Sequence, residues 1–524
     1  MVERNTGKLD FTNFIKNHGV NLLYILLIPL AFWIIFGAVV YIRTGYTLSD
    51  HIFWYSDVSS YYLLISGILR SGIFSDTMGS TGYLFYWEGI TALNVARHLF
   101  YGAHGIFILL PYIFFGSFLG FNGVMPLFIG LLLLIIAFYF VYFSCYSLKQ
   151  TIFVQLAIFL FLPFLFHFPT LFMDTQMHAW GIILMALLYK YRLEQKNRTG
   201  LFFLFAVFFA SLARITNLVF IIPYFFIEIE NWTKKDQNEI KKNKIKGIIF
   251  GIITILLSLV VFLVSFSLLT PSFYTSQIGI TMNAFSTGSI IYGLRTVIFN
   301  ILFNVLRFIY PRAFFLDLFV RIGISLLAVT FLLYSLFTYD KKKFSFKFNH
   351  ELFSIFFMIF VITFFIISVY EVGYGRDFRL LSPILSAVIV YIILRYKDFL
   401  IITEISVGYV LFGIFFMSFV LDPIDRNFGQ FYINDWARYI SYDPYAENRL
   451  ENSVLIHYNW QNETWDLDHG LGLIFDMTGT NFEYYQAAQH GIVHLIRPAK
   501  SDNAYPWYQV VAYGHDWVVY RLRK

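Results

Sequence analysis

Charge is what this sequence has least of. Asp, Glu, Lys and Arg make up 13% of the 524 residues, against about 25% in an ordinary soluble domain. With 58% hydrophobic residues, a water-soluble globule could not enclose the apolar surface. The class that remains is a polytopic membrane protein, whose solvent is the bilayer. Cysteine is almost absent too. The single Cys145 lies in an apolar run, which excludes an intrachain disulfide and dithiol redox chemistry. No Walker A or glycine-rich dinucleotide fingerprint occurs, which argues against coupling to a bound nucleotide. No internal repeat is found, which argues against an inverted-repeat transporter. What is abundant is aromatic: 21% Phe, Trp and Tyr excludes a disordered or fibrous chain. The net charge of +6 would suit a nucleic-acid partner in a soluble protein. Here the basic residues flank apolar segments and set topology instead, so no nucleic acid is expected.

A spanning helix needs about 20 apolar residues and ends where charge returns. That rule places spans near 21–42, 124–147, 151–168, 177–191, 200–213, 215–229, 247–269, 317–339, 350–370, 380–395 and 399–421. The first has no small-residue cleavage site after it and reads as a retained anchor. Arg214 falls between two short spans, which form either a hairpin or one long helix with a buried arginine. Gly105 to Leu119, interrupted by Pro111, reads equally as a span or as a re-entrant segment. With a cytoplasmic N-terminus, Lys8, Lys16, Lys149, Lys190, Lys196, the run Lys234 to Lys246, Lys341 to Lys347 and Lys397 share the cytoplasmic face. The expected fold is an α-helical polytopic membrane protein of about eleven transmembrane helices over 1–421, in the cell membrane, with an external C-terminus. Its first external loop runs over 43–122, and a second, polar-aromatic, over 270–315. Residues 422–524 have soluble composition and strand-like runs at 453–457, 508–512 and 517–521, with Gly514-His515-Asp516 as a hairpin turn. They read as a small extracytoplasmic α/β domain.

Where the cytoplasmic face uses lysine, the outer face uses arginine: Arg43, Arg70, Arg97, Arg214, Arg295, Arg307, Arg312, Arg321, Arg376 and Arg379. Guanidinium forks bind phosphate in a bidentate way, and an enzyme handling a lipid phosphate at the outer leaflet needs them. Single arginines also snorkel to headgroups. In the first loop, Asp57 sits within Trp54-Tyr-Ser-Asp57-Val-Ser-Ser-Tyr61-Tyr62, surroundings that desolvate a carboxylate and suit it to general-base work; a helix cap is the plainer reading. Asp76 and Glu88 share that loop. Asp174, in Phe168-Pro-Thr-Leu-Phe-Met-Asp174-Thr-Gln-Met-His178, would face the same external space, or simply cap its helix. A third motif, Tyr370-Glu-Val-Gly-Tyr-Gly-Arg376-Asp377-Phe-Arg379-Leu-Leu-Ser-Pro383, opens a late span.

This order of elements resembles the GT-C superfamily of integral-membrane glycosyltransferases, which includes protein mannosyltransferases and aminoarabinose transferases. The resemblance covers the chain to about Leu421. It implies transfer of a sugar from a polyprenyl-phosphate donor to a lipid, polymer or protein acceptor of the cell envelope. It makes Asp57 the catalytic base or acceptor-orienting group and matches Asp174 to the acidic residue at the start of a later helix; Asp76 and Glu88 are candidate acidic partners by their place in the first loop. It sets Arg214, Arg376 and Arg379 near the donor phosphate, and Arg295, Arg307 and Arg312, from the outer-face set, are the other candidates to hold it. Trp54, Tyr61, Tyr62 and Trp87 would contact sugar. Two departures stand out: Val58 occupies a position that is acidic in many relatives, and Phe85-Tyr86-Trp87-Glu88 replaces a proline pair. No cofactor is expected, although some relatives use a divalent cation, for which Asp57 and Asp76 are the candidates. His490 and His494 have metal-ligand spacing only on a helix, which Gly491 disfavours, so no metal site is assigned. The alternatives are a polysaccharide polymerase or ligase, and a lipid-linked sugar flippase. A flippase favours ionisable groups inside the spans, where the sequence shows few.

Overall fold

The structure, a computed structural model, describes residues 11–44, 48, 65, 69, 106–120, 125–161, 164–165, 168, 172–233, 238–269, 290–309, 338–340, 345–347, 350–369 and 380–395, and the strands 453–456, 472–474, 494–498, 508–513 and 517–522. Among these lie eleven α-helices: α1 (Phe11–Thr44), α2 (Ile106–Leu119), α3 (Met125–Cys145), α4 (Leu148–Phe159), α5 (Phe172–Glu194), α6 (Asn197–Ala213), α7 (Ile221–Thr233), α8 (Asn238–Leu269), α9 (Ile290–Ile309), α10 (His350–Val369) and α11 (Ser382–Arg395). A 3₁₀ turn, Ile215–Phe220, leads into α7. Four segments, within α1, α3, α8 and α10, are long and apolar enough to cross a membrane.

Helix α5 is the hub. It packs against α3, α11 and α6, while α8 covers α6 and α7, and α10 meets α7 and α9. The core is built from Phe, Leu and Ile, and its largest fully buried side chains are tyrosines: Tyr112, Tyr142, Tyr191, Tyr224 and Tyr391. Their hydroxyls need partners away from water. Tyr142 has two, His18 Nδ1 at 2.7 Å and Asn21 Nδ2 at 2.9 Å. The outward faces of α8 and α9 carry exposed Leu256, Leu257, Val260, Ile290 and Ile291. An apolar surface of this kind is what a bilayer-facing helix presents.

Backbone groups are satisfied by side chains where helices are broken. Pro29 lies inside α1 and has no N–H for the carbonyl of Ile25, four residues earlier. Gln155 of α4 donates to that carbonyl at 2.8 Å. At the end of α10, the carbonyls of Ile367 and Ser368 lack helical donors. Asn304 and Asn300 of α9 supply them at 2.9 and 3.0 Å. α9 therefore turns its asparagines inward and its Leu, Ile and Phe outward, the reverse of a soluble amphipathic helix.

Close helix contacts rest on glycine. Gly247 and Gly251 of α8, four apart, face α7; a Cβ at Gly251 would lie 2.5 Å from the Phe225 ring, and one at Gly247 2.9 Å from the Glu228 carboxyl carbon. This is the small-residue spacing that lets membrane helices approach. At Gly181 of α5 a Cβ would stand 2.7 Å from the backbone oxygen of Pro383 in α11.

Several expected boundaries change. The span at 151–168 is the shorter helix α4, ending at Phe159; Pro163, four residues on, cannot continue it. Residues 215–229 are a 3₁₀ turn and then α7. α2 has 14 residues, about 21 Å, short of a crossing. The loop expected over 270–315 contains α9, twenty residues of helix. The expected span 317–339 runs at its end into β1 (Thr338–Asp340), paired antiparallel with β2 (Ser345–Lys347). The rest of that span, and 399–421, lie outside the described residues.

In the C-terminal region, β3 (Ser453–Ile456), β4 (Gly472–Ile474), β5 (His494–Pro498), β6 (Tyr508–Tyr513) and β7 (Trp517–Leu522) form a mixed sheet in the order β4-β3-β5-β7-β6. β3 runs parallel to both β4 and β5. β7 is antiparallel to β5 and to β6. The β6–β7 hairpin brackets Gly514-His515-Asp516 and carries an irregularity between Val510 and Ala512. His494 is in β5, so the helical spacing needed to pair it with His490 does not arise. The parallel pairs require crossover connections, and any helices of the expected α/β domain lie outside the described residues.

Candidate functional site

The site begins at a break in a helix. α6 ends at Ala213, and Arg214 takes up extended backbone (φ −156°, ψ 117°) before the 3₁₀ turn. Asn217 Nδ2 and the Arg214 N–H both reach back to the carbonyl of Ala210, at 2.9 and 3.0 Å, and close the end of α6. The chain then returns through α7, so α6 and α7 form a hairpin with Arg214 at its tip. Of the two readings of this region, the hairpin is the one observed.

Arg214 points inward and is 8% exposed. Its Nη1 lies 3.5 Å from Oδ1 of Asp174, in the first turn of α5. This contact is longer than a good charge-assisted hydrogen bond, and it uses one terminal nitrogen of the fork. Among the described residues it is the one ion pair of Arg214, which leaves further N–H groups of the guanidinium for an anion.

One turn along α5 from Asp174 stands His178, fully buried. Its Nδ1 is 2.8 Å from Oγ of Ser386 and its Nε2 is 3.2 Å from Oγ of Ser382, both in α11. Ser386 in turn donates to the carbonyl of Pro383 at 2.8 Å, which assigns Nδ1 the donor role toward Ser386. The edges of Phe161 and Phe164 close over the ring. The Asp174–Arg214 pair and the His178–Ser382–Ser386 group thus lie one turn apart on α5, the second walled by Phe161 and Phe164.

Sequence reasoning named Asp174 and Arg214, and the structure brings them together. His178 and Ser382 stand in two of the sequence motifs without a role of their own, and Ser386 in none. The i, i+4 serines at the start of α11 were the available signal, although nothing local ties them to a histidine some 200 residues earlier. Asp174 and Arg214 lie buried at helix ends, whereas His178 and Glu228 are buried ionisable groups inside α5 and α7, in helix interiors that the sequence reading took to hold few. Arg295 lies exposed on α9 and is not part of this cluster. Arg307 is in α9, and nothing is described of its side chain. Asp57, Asp76, Glu88, Trp54, Tyr61, Tyr62, Trp87, Arg312, Arg376 and Arg379 lie outside the described residues. Among the described residues no group of three or more His, Cys, Asp and Glu side chains could hold a metal.

At the opposite end of α5 the chemistry differs. Arg192 Nη2 contacts Glu230 of α7 at 2.8 Å, and its Nε lies 3.7 Å from Glu351 of α10. Glu351 also takes Arg395 Nε at 3.0 Å and the hydroxyl of Tyr391, both from α11. The Tyr191 hydroxyl donates to Glu228 alongside. Four helices are tied there by one carboxylate-rich network.

No family model matches this chain, and no curated protein matches it.

Proposed function

We propose that this protein is an integral-membrane glycosyltransferase of the GT-C type. It moves a sugar from a polyprenyl-phosphate donor to a cell-envelope lipid, polymer or protein, on the outer face of the cell membrane. The lysine partition puts the N-terminus in the cytoplasm and the 422–524 domain outside. The observation that carries this reading is Arg214, buried at a helix break and engaged through one nitrogen by Asp174. An inward-facing guanidinium with donors to spare, near the mouth of a helical bundle, suits a phosphate headgroup whose chain remains in lipid.

In this reading the acceptor oxygen attacks the anomeric carbon from the face opposite the phosphate. The sugar–phosphate C–O bond breaks, the configuration inverts, and polyprenyl phosphate leaves with the electron pair. Arg214 stabilises the charge that develops on the leaving oxygen. Asp57, in the first external loop, takes the acceptor's proton. Asp174 holds Arg214 in place, and His178 with its serines fixes α5 against α11.

The test is transfer from radiolabelled polyprenyl-phosphate sugars by membranes expressing the wild type, Asp57→Asn or Arg214→Lys. Product from one donor, lost in both folded variants, supports the assignment. Absence of transfer from every monophosphate donor by folded wild type overturns it. A second reading, translocation of a lipid-linked sugar, draws on one observation: His178 is an ionisable group enclosed about 9 Å along α5 from its start. Water-accessible cysteine substitutions around position 178 would favour it.

A further inference from the structure

On the side of α5 away from His178, a groove of about 490 Å³ runs between α2, α3, α5 and α6. Leu110, Phe140, Phe205 and Ala213 line it, and it opens beside the exposed faces of Phe202 and Phe205, that is, toward lipid. Such a volume falls within the range of small-molecule sites. Its wall is apolar except at two positions of α5, Gln176 and Trp180. Spaced i, i+4, they share one helix face. Gln176 is 2% exposed, and its side-chain oxygen is buried without a hydrogen-bond partner. A buried amide oxygen left unpaired in hydrocarbon is costly and calls for a donor. Trp180 offers the complementary indole N–H.

We propose that this groove binds a single-chain lipid alcohol, with the chain along the aromatic wall and the hydroxyl between Gln176 and Trp180. A hydroxyl both donates and accepts, so one group satisfies the amide oxygen and the indole N–H together. A bare alkyl chain satisfies neither, and a fully ionised lipid phosphate brings acceptors only. The site is therefore distinct from the phosphate position assigned to Arg214 and stands independently of glycosyl transfer. Asp174 and Gln176, two positions apart on α5, point to different sides of the helix, and the two sites are back to back.

The experiment uses the full-length protein in lipid nanodiscs with three photoactivatable probes: hexadecanol, hexadecane and hexadecyl phosphate. Labelled peptides are mapped by mass spectrometry. The expected result is saturable labelling of α5 and α6 by the alcohol, competed by unlabelled hexadecanol. Gln176→Leu should reduce that labelling about tenfold, the effect of one hydrogen bond, and leave hexadecane labelling unchanged. Trp180→Phe, which keeps shape but removes the N–H, should reduce it several-fold and serves as well if Gln176→Leu does not fold. Ala206→Phe, which fills the groove, should abolish labelling by every probe. The proposal is overturned if hexadecane or hexadecyl phosphate labels as strongly as the alcohol. It also fails if the folded polar variants label like wild type, or if no probe reaches the groove because the protein's own chain covers it.

Discussion

The two ends of α5 show two ways of placing charge in a membrane protein. At the Arg192 end, two arginines, two glutamates and a tyrosine interlock across α5, α7, α10 and α11, with the Arg192–Glu230 contact at 2.8 Å and Arg395–Glu351 at 3.0 Å. At the Asp174 end, one arginine meets one aspartate at 3.5 Å, on a stretch of chain that is not helical. The first arrangement ties four helices together through several short contacts, with Nη1 of Arg192 the one buried guanidinium nitrogen there that has no hydrogen-bond partner among the described residues. The second holds its arginine by one longer contact, and a group held in that way is the more available to a ligand. Stability should therefore depend on the Arg192 end and activity on the Asp174 end.

The largest effect that would break this contrast concerns Glu351. Glu351→Ala removes the acceptor shared by Arg395, Tyr391 and Arg192; a bond to a buried charge is worth about 1.5–3 kcal/mol, less at half-exposed Arg395, while Arg192 keeps Glu230. We expect a markedly lower midpoint in detergent-based thermal unfolding, with activity falling only as the folded fraction falls. Next comes Arg214→Lys. A point charge replaces the fork, and loss of a preorganised electrostatic contact lowers transfer by about 100-fold or more, while the unfolding midpoint stays near that of wild type. If Arg214→Lys unfolds the protein and Glu351→Ala does not, the two ends have been assigned the wrong way round.

Between these extremes, Gly181→Ala tests the contact that joins the ends. Its Cβ would meet a backbone carbonyl at 2.7 Å, which cannot rotate away. Overpacking of this sort costs about 1–3 kcal/mol. Since Gly181 follows His178 by less than a turn, the separation of α5 from α11 should also lower transfer. Unchanged stability and activity in Gly181→Ala would mean that the two helices do not approach as closely as described.

Much of this bundle could be read from the chain because apolar runs end at charge, and α1, α3, α5, α8, α10 and α11 follow that rule. At Arg214 the sequence left two readings open, a hairpin or one long helix, and the extended backbone of Arg214 decides between them. α9 was hidden by its asparagines. Asn300 and Asn304 look like loop residues until α10 supplies the bare carbonyls that they cap. α4 was overrun because Phe161, Phe164 and Phe168 stay apolar and buried after the helix has ended. Of the site, Asp174 and Arg214 carry charge in conspicuous places and were named, whereas His178, Ser382 and Ser386 form a group only after α11 packs on α5. Asp57 and the first loop remain an inference from the sequence.

The smallest effect sharpens the comparison most. Ser386→Ala removes the hydroxyl between His178 Nδ1 and the carbonyl of Pro383, at 2.8 Å from each. Hydrogen bonds between membrane helices contribute about 0.6 kcal/mol on average, so the unfolding midpoint should move little. His178 retains Ser382 on its other nitrogen, and the ring keeps its aromatic walls. Its orientation is then held by one hydroxyl where there were two. If the polar chain between α5 and α11 only glues helices, transfer should follow the small stability change. If it positions Asp174 and through it Arg214, transfer from the polyprenyl-phosphate donor should fall several-fold at unchanged stability, and Ser386→Thr, which restores a hydroxyl, should recover it. The ratio of activity loss to stability loss in Ser386→Ala, set beside the same ratio in Glu351→Ala, measures how far the two ends of α5 have been given separate tasks.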